Sequence, residues 1–337
     1  MKTEKLDIIT FGRSSIDLYS QNIGAPFNDI KGFDAFVGGS PLNIAVACAR
    51  LGVKASLLTA VGNDKVGEFI LDFLNKEGVN TSCITVKENA RSSAVVLGIE
   101  PPDKFPLVYY RNNAADSQVT IDDVLNANIE NHRILLINGT ALNIEPSRSA
   151  TFCAAEIANK NNVDVVLDLD FRADQWHDYR AFGLMVRAIL PKVKIAIGTE
   201  EEILAATLNE ASQVSIKDQQ ISAPEIKGDI DQSIAQLLEL GIEILLVKRG
   251  ENGVSIYKND NTREDVPGFP VEVLNVLGAG DAFAGGFLYG ILQGWNLYKS
   301  CRMGNASGAQ VVTKKGCANF MPTLNESMQF INDKGGF

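Results

Sequence analysis

Short apolar runs rich in β-branched residues alternate with segments of helical length along most of this chain. Strands that are buried on both faces of a sheet read as continuous apolar runs, and a helix between two such strands lets them lie parallel. With right-handed crossovers, this alternation predicts an α/β fold with a doubly wound, mainly parallel sheet. The predicted strands cover residues 6–12, 55–62, 133–139, 163–170, 193–198 and 243–250.

Two regions, 14–37 and 92–113, interrupt the alternation. The second contains SAVVLGIE and PLVYYR around the turn-rich PPDKFP, which is typical of a β-hairpin. Strands without an intervening helix are expected to pair antiparallel. We therefore predict that both regions form a small antiparallel sheet, standing off the core as a lid within a single domain that spans residues 1–337. The polar residues 209–230 are interpreted as a surface excursion.

Charge and residue counts exclude several function classes. The 31 Lys and Arg against 41 Asp and Glu give a net charge of -10, which disfavours binding to nucleic acid. No run of 18 apolar residues indicates a membrane span, and the 5 cysteines form no C-x-x-C pair. We therefore expect a cytoplasmic protein with reduced thiols and no membrane partner. With only 2 histidines, a His-centred triad or a zinc site is not expected.

The segment GAGDAFAGGF, residues 278–287, is the strongest local signal. Small residues precede an apolar helical pattern, so the amides of Gly278, Ala279 and Gly280 and the carboxylate of Asp281 lie at a predicted helix N-terminus. Such amides have no partners within the helix and, with the helix dipole, favour an anion. A free Asp titrates near pH 4, and a helix N-terminus lowers that pKa further. Asp281 is therefore expected to be ionised at neutral pH and to be a weak base. Two structural alternatives would give the same sequence: Asp281 could only cap the helix, and the glycines could only allow close packing against a neighbouring element.

A second signal is VGGSPLNIAVA at residues 37–47. Pro41 suits the first turn of a helix, the glycines let a ligand approach backbone amides, and Asn43 presents both a donor and an acceptor. The helix ends at Leu51-Gly52, and VGNDKVG at 61–67 follows the next predicted strand. For Asn43 taken alone, a local cap remains the alternative.

The order and separation of these segments resemble the ribokinase-like, or pfkB, family of carbohydrate kinases over essentially the whole chain. The resemblance rests on G-G-x-P-x-N-x-A, on V-G-x-D-x-x-G and on G-A-G-D-A-F. It implies an ATP-dependent kinase that uses Mg²⁺ and binds a small sugar. Separately, exposed lid strands favour edge-to-edge pairing of two chains, so we expect a homodimer through the lid. A dehydrogenase would need a glycine fingerprint after the first strand, which FGRSSID lacks. A non-catalytic sugar-binding regulator is the alternative from another class.

Within the family the chain is similar to kinases of six-carbon keto-deoxy sugar acids. The similarity lies in residues 109–116 (YYRNNAAD), 168–172 (DLDFR) with Trp176, 198–202 (GTEEE) and 317–323 (CANFMPT). It implies phosphorylation of the C6 hydroxyl of 5-dehydro-2-deoxy-D-gluconate, a step of inositol catabolism. The alternatives left open are 2-keto-3-deoxygluconate and neutral sugars such as fructose or ribose.

Physical chemistry assigns roles to three charged residues. Phosphoryl transfer needs a group that orients the attacking hydroxyl, and donors for the charge on the moving phosphoryl group. Asp281 and the amides at 278–281 are the candidates. A substrate carboxylate calls for a forked cation, which Arg provides better than Lys. Arg111 and Arg172, in segments expected to open onto the cleft, are the candidates here; a surface salt bridge is the alternative for each.

The resemblance implies the remaining contacts. It places Asp17, Gly39 and Asn43 at sugar hydroxyls, and it places Glu201 near Mg²⁺ through water. Two departures from the family pattern concern the ions. Gly198 replaces the Asn of the N-x-x-E element, and 275–277 read Asn-Val-Leu where many relatives have Asp-Thr, so a potassium site stays open. The residues expected along the nucleotide are Thr199, Lys248, Gly250, Gly253 and Asn305; for Lys248 a solvated lysine in a turn is the alternative.

Overall fold

The computed structural model describes residues 5–100, 105–216, 224–260 and 262–337. The strands of the described chain are β1 Leu6–Phe11, β2 Ser15–Ser20, β3 Phe33–Gly38, β4 Ala55–Gly62, β5 Ile84–Lys87, β6 Ser93–Leu97, β7 Leu107–Tyr110, β8 His132–Asn138, β9 Asp164–Asp168, β10 Ile195–Thr199, β11 Val214–Ser215, β12 Glu225–Ile226, β13 Ile244–Lys248, β14 Val254–Lys258 and β15 Arg263–Val266. The helices are α1 Ser40–Arg50, α2 Lys65–Lys76, α3 Ile121–Asn126, α4 Ser147–Lys160, α5 Tyr179–Ile189, α6 Glu200–Ala206, α7 Ile230–Leu238, α8 Ala279–Leu292, α9 Leu297–Val311 and α10 Leu324–Asp333.

The large sheet is mainly parallel, as predicted. Its parallel strands lie in the order β13-β10-β9-β8-β1-β4-β5, and β14 and β15 continue it antiparallel beyond β13. The six predicted strands correspond to β1, β4, β8, β9, β10 and β13. The edge strand β15 was not predicted because its sequence, REDV, is charged and mostly exposed rather than apolar.

Helices cover both faces of this sheet. Successive residues of β8 point to opposite sides, so Leu135 and Ile137 lie in one core and Ile134 and Leu136 in the other. The first core also contains buried residues of α3 to α7, and the second contains buried residues of α1, α2 and α8 to α10. The doubly wound prediction is therefore confirmed.

The lid is the small sheet β3-β2-β6-β7. The pairs β2–β3 and β6–β7 are antiparallel as predicted, but the central pair β2–β6 is parallel. The reason is the length of the connection. Between β3 and β6 the chain passes through α1, β4, α2 and β5, so no tight turn forces β6 to run antiparallel to β2.

Two predicted segments fall partly outside the described residues. In the hairpin turn PPDKFP, residues 101–104 lie outside them, and in the excursion 209–230 residues 217–223 do. The described part of the excursion includes the antiparallel pair β11–β12. In the described ranges no helix combines the length and the apolar character needed to cross a membrane.

Candidate active site

The carboxyl ends of the parallel strands meet at one edge of the large sheet, where open α/β sheets bind ligands. Asn138 ends β8, Asp168 ends β9 and Lys248 ends β13. Helix α8 begins at the same edge, because Asn43 of α1 contacts Asp281 in its first turn. The strand ends, the start of α8 and the lid strand β2 enclose the candidate site.

Helix α8 starts in the way that the sequence predicts. Gly278 is the residue before the helix and has φ of 83°, a left-handed conformation that glycine adopts without strain. A Cβ at Gly278 would also lie 2.7 Å from Cys317 Sγ, so there is no room for a side chain. The start of α8 therefore packs against Cys317, and within this turn the amide of Ala279 donates to Val276 O at 3.3 Å.

Asp281 is half-buried and accepts a hydrogen bond of 2.7 Å on Oδ2 from Nδ2 of Asn43. Burial raises the pKa of its carboxyl above the usual range, the hydrogen bond from Asn43 opposes the rise, and the charge of Asp170 adds to it. The pKa is therefore raised where a lowered one was expected, because loss of water outweighs the hydrogen bonds from Asn43 and Ser40. A raised pKa makes Asp281 a stronger base than expected.

Lys248 lies at the centre of the charged groups. Its Nζ is 3.5 Å from Asp168 Oδ1 and 3.6 Å from Glu202 Oε2, and a Cβ at Gly280 would lie 3.1 Å from it. Burial acts to lower the pKa of the Lys248 ammonium, but the charges of Asp168 and Glu202 outweigh it and the pKa is raised. Lys248 is thus a cation next to the amides at the start of α8.

Asp168 is buried, and the sequence predicts no role for it. Burial raises the pKa of its carboxyl to about 7, against the opposing charge of Lys248. Ser40 Oγ donates to its Oδ2 at 3.4 Å, and Asn138 donates to Ser40 Oγ at 3.1 Å. These contacts connect the end of β8, the start of α1 and the end of β9.

The two predicted carboxylate-binding arginines lie in different environments. Arg172 is partly exposed, at 25% for the side chain, and pairs with Asp170 at 2.6 Å. Arg111 is buried, and its Nε pairs with Asp116 at 2.7 Å while Nη1 donates to Thr140 O at 3.2 Å. Its Nη2 is buried without a partner in the described residues. Both arginines are ion-paired, and Arg172 is the more accessible.

The predicted sugar contacts lie where the lid meets the core. Asp17 on β2 is buried and accepts from Ser15 Oγ at 2.7 Å, and Ser15 Oγ in turn accepts from Arg13 at 3.0 Å. Burial raises the pKa of the Asp17 carboxyl, and the charge of Arg13 opposes the rise. Gly39 precedes α1 with φ of 109°, and a side chain there would overlap the carbonyl of Arg13.

The residues predicted for the nucleotide are spread along one side of the site. Gly250 and Gly253 flank the turn between β13 and β14. Asn305 on α9 donates to the carbonyls of Val266 and Pro267, which follow β15. Thr199 caps α6, because its side chain accepts from the amide of Glu202.

The structure brings Glu202, rather than Glu201, to the cluster around Lys248. The side chain of Glu201 is exposed, whereas Glu202 is buried and accepts from the amides of Thr199 at 2.8 Å and Phe171 at 3.2 Å. Thr199 and Glu202 form a capping box, which turns the third residue of the helix inward. The T-x-x-E spacing is the sequence signal that would have identified Glu202.

Carboxylates are present near the cluster, but they do not form a metal cage. Within the described ranges, no group of three or more His, Cys, Asp or Glu side chains is arranged to hold a metal ion. Oδ1 of Asp168 is buried without a hydrogen-bond partner there. The arrangement fits a Mg²⁺ ion that is bound mainly by a second ligand in the site and by water, because Mg²⁺ keeps several of its waters and needs few protein ligands.

Comparison with known proteins agrees with this geometry. The model of the pfkB family carbohydrate kinases matches residues 5–324. A 5-dehydro-2-deoxygluconokinase of Clostridium botulinum (strain Eklund 17B / Type B) is 33% identical over 334 residues, which cover 99% of this chain and 95% of the relative. The enzyme of that name from Geobacillus thermodenitrificans (strain NG80-2) is 33% identical over 329 residues, 97% of this chain and 93% of the relative.

A solved structure has the same fold. The crystal structure of a fructokinase with bound ATP from Xylella fastidiosa superposes with a TM-score of 0.84 at 25% sequence identity, covering 98% of this chain and 99% of that chain. The family match and the two full-length relatives agree with the structural one. This chain belongs to the pfkB family of carbohydrate kinases.

Proposed function

We propose that the protein transfers the γ-phosphoryl group of ATP to the C6 hydroxyl of 5-dehydro-2-deoxy-D-gluconate, the step of inositol catabolism that the resemblance implies. The names of relatives at 33% identity over nearly the whole chain support this substrate over 2-keto-3-deoxygluconate and neutral sugars. The observation that carries the chemistry is the position of Asp281. Its carboxylate lies in the first turn of α8, whose backbone lies next to the Lys248 ammonium at Gly280; the amide of Ala279 in this turn donates to Val276 O at 3.3 Å.

In the proposed reaction Asp281 orients the sugar hydroxyl and accepts its proton late in the transfer. Asn43 holds one carboxylate oxygen of Asp281 in place. The amides of residues 278–281 and Lys248 stabilise the charge on the moving phosphoryl group, since they are fixed before the reaction begins. Asp17, Gly39 and Asn43 contact the sugar where the lid meets the core; Oδ1 of Asn43 is buried without a hydrogen-bond partner in the described residues.

For the substrate carboxylate we propose Arg172 as the main partner, because its guanidinium is accessible. Arg111 contributes through Nη2, the one nitrogen of its guanidinium that is buried without a partner in the described residues. The nucleotide follows Thr199, Lys248, Gly250, Gly253 and Asn305. When bound with ATP, Mg²⁺ would neutralise phosphate charge, with Asp168 and Glu202 placed to face its water shell.

The sequence motifs and the covered faces of the sheet support one kinase domain over residues 1–337, with a lid formed by about 14–37 and 92–113.

We further propose a homodimer through the lid. The lid face turned away from the core presents Ile16, Leu18, Val96, Val108 and Tyr110, and Val108 and Tyr110 are 45% and 63% exposed. The 5 cysteines are free, which supports a reducing compartment and hence the cytoplasm.

An assay of ADP release, coupled to NADH oxidation, tests the proposal. The sugars are 5-dehydro-2-deoxygluconate, 2-keto-3-deoxygluconate, fructose and ribose, each with ATP and Mg²⁺ and with or without potassium. We expect the first to have a kcat/KM at least about tenfold above the others, because the full-length relatives at 33% identity are kinases of that sugar acid by name. A higher kcat/KM for a neutral sugar would contradict the proposal. Activity that requires potassium in addition to Mg²⁺ would support the cation site that the sequence leaves open.

A further inference from the structure

Asn275 is a fully buried polar residue in the segment that leads into α8. Its Oδ1 accepts from the amide of Leu277 at 3.0 Å, and its Nδ2 donates to the carbonyl of Lys315 at 3.1 Å. Lys315 lies in the connection between α9 and α10. The side chain therefore joins the segment before Gly278 to a part of the chain that is 40 residues away.

Main-chain hydrogen bonds attach the same segment to the end of α9. The amides of Leu274 and Asn275 both donate to the carbonyl of Val312, at 2.8 and 3.1 Å. On the other side, Gly278 is confined by Cys317, as described above. The turn that directs the amides of residues 278–281 is thus held between residues 312–315 and Cys317.

The bonds of the Asn275 side chain are suited to positioning. In residues 271–277, Glu272 and Asn275 are the polar side chains, and Glu272 is exposed. Preorganised donors stabilise a transition state only when they point to the place where charge develops, and a shift of about 1 Å can cost roughly a hundredfold in rate. Releasing the turn would let Gly278 and the following amides move relative to Asp281.

We infer that Asn275 is a positioning residue for phosphoryl transfer: its side-chain amide, donating to Lys315 O and accepting from Leu277, fixes the direction of the amides at 278–281. This inference rests on the proposed function. Asn275 acts on the rate of transfer and not on sugar binding, because its side chain bonds only main-chain atoms of Leu277 and Lys315 and none of the sugar-binding residues, although the Leu277 side chain packs against the lid.

Two substitutions test the inference in kinetic assays of the full chain. Asn275→Ala removes both hydrogen bonds, so kcat should fall roughly tenfold to a hundredfold while KM for the sugar acid changes less than about threefold. Asn275→Asp keeps the shape and the acceptor but places an oxygen opposite Lys315 O. In buffer without potassium or other monovalent metal cations, only the protonated carboxyl can satisfy Lys315 O, so kcat of this variant should fall as pH rises, a limb that wild type lacks.

Asn80 provides a matched control. Its Oδ1 accepts from the amide two residues on, that of Ser82, at 3.1 Å, and its Nδ2 donates to Ser56 Oγ at 3.1 Å. Oδ1 makes the same local bond as in Asn275, whereas Nδ2 donates to a hydroxyl instead of a carbonyl and Asn80 is only partly buried. Ser56 lies near the amino end of β4, at the sheet edge opposite the site. Asn80→Ala and Asn80→Asp should lower stability without changing kcat or its pH profile.

The outcomes separate the inference from the proposed function. Loss of kcat in Asn275→Ala together with the new pH limb in Asn275→Asp supports the inference. A kcat within twofold of wild type, a wild-type pH profile for Asn275→Asp, or the same kinetic change in the Asn80 variants overturns it. If Asn275→Ala does not fold, the pH profile of Asn275→Asp decides. Absence of activity in wild type would instead contradict the proposed function.

Discussion

At the scale of single residues, two opposing effects act on Asp281. Hydrogen bonds from Asn43 and Ser40 favour the carboxylate, burial disfavours it, and burial has the larger effect. Because the pKa is raised in the folded protein, folding favours the protonated form, and this contribution to stability is lost as pH rises through the folded-state pKa. At neutral pH the charged Asp281 therefore reduces stability.

The substitution Asp281→Asn tests both consequences. We expect kcat to fall at least about a hundredfold, because the proton acceptor is lost, and the thermal midpoint at neutral pH to rise, because a buried charge is removed. In wild type, kcat/KM should fall on the acid side at a higher pH than an ordinary Asp would give. Kinetics across pH and thermal unfolding measure these changes.

Asp333→Asn, at the exposed last residue of α10, is the control and should change neither quantity. A variant at position 281 that keeps near-native kcat would contradict the role of base. A lower thermal midpoint would contradict the account of its burial.

At the scale of elements, Arg111 joins the end of lid strand β7 to the core. Its guanidinium spans Asp116 and the carbonyl of Thr140, and the side chains of Arg111 and Asp116 are 4% and 0% exposed. A pair buried to this extent differs from a surface salt bridge, since removing one partner leaves the other charge in a dry environment. The connection therefore contributes to the placement of the lid as well as to the site.

Arg111→Ala is expected to lower the free energy of unfolding by roughly 3–5 kcal/mol, because it leaves Asp116 unpaired. Urea denaturation measures the loss, and the double variant with Asp116→Asn should recover part of it. Arg133→Ala, which removes a more exposed pair with Asp7 at 3.5 Å, is the control and should cost about 1 kcal/mol or less. Equal losses for the two arginines would show that burial of the Arg111 pair has no energetic consequence.

At the scale of the whole molecule, the lid has one face on the site and one apolar face that the described chain leaves partly exposed. Exposed apolar patches on sheets mark interaction surfaces, and a second copy of the same sheet is self-complementary in a twofold arrangement. The same lid strands would then carry both substrate contacts and subunit contacts. Assembly would restrict how far the lid can open.

The substitution Val108→Glu tests the dimer. A charge on the outer lid face should disfavour burial against a second copy, and the mass measured by light scattering after gel filtration should halve. Leu184→Glu on α5 is the matched control, since Leu184 is 56% exposed on the core and Val108 45% exposed on the lid. A wild-type mass equal to one chain, or a Val108→Glu protein that stays dimeric, would contradict a dimer through the lid.

The sequence by itself determined the fold class and brought the main candidates to notice. Apolar runs and helical spacing report local burial, so six core strands and the start of α8 could be predicted without coordinates. The tertiary structure decided what no local pattern contains: the parallel pairing of β2 with β6, the cluster of Asp168 and Glu202 around Lys248, and the burial of Glu202 instead of Glu201 in the first turn of α6. It also reversed the expected pKa of Asp281, because desolvation depends on which distant segments cover a group.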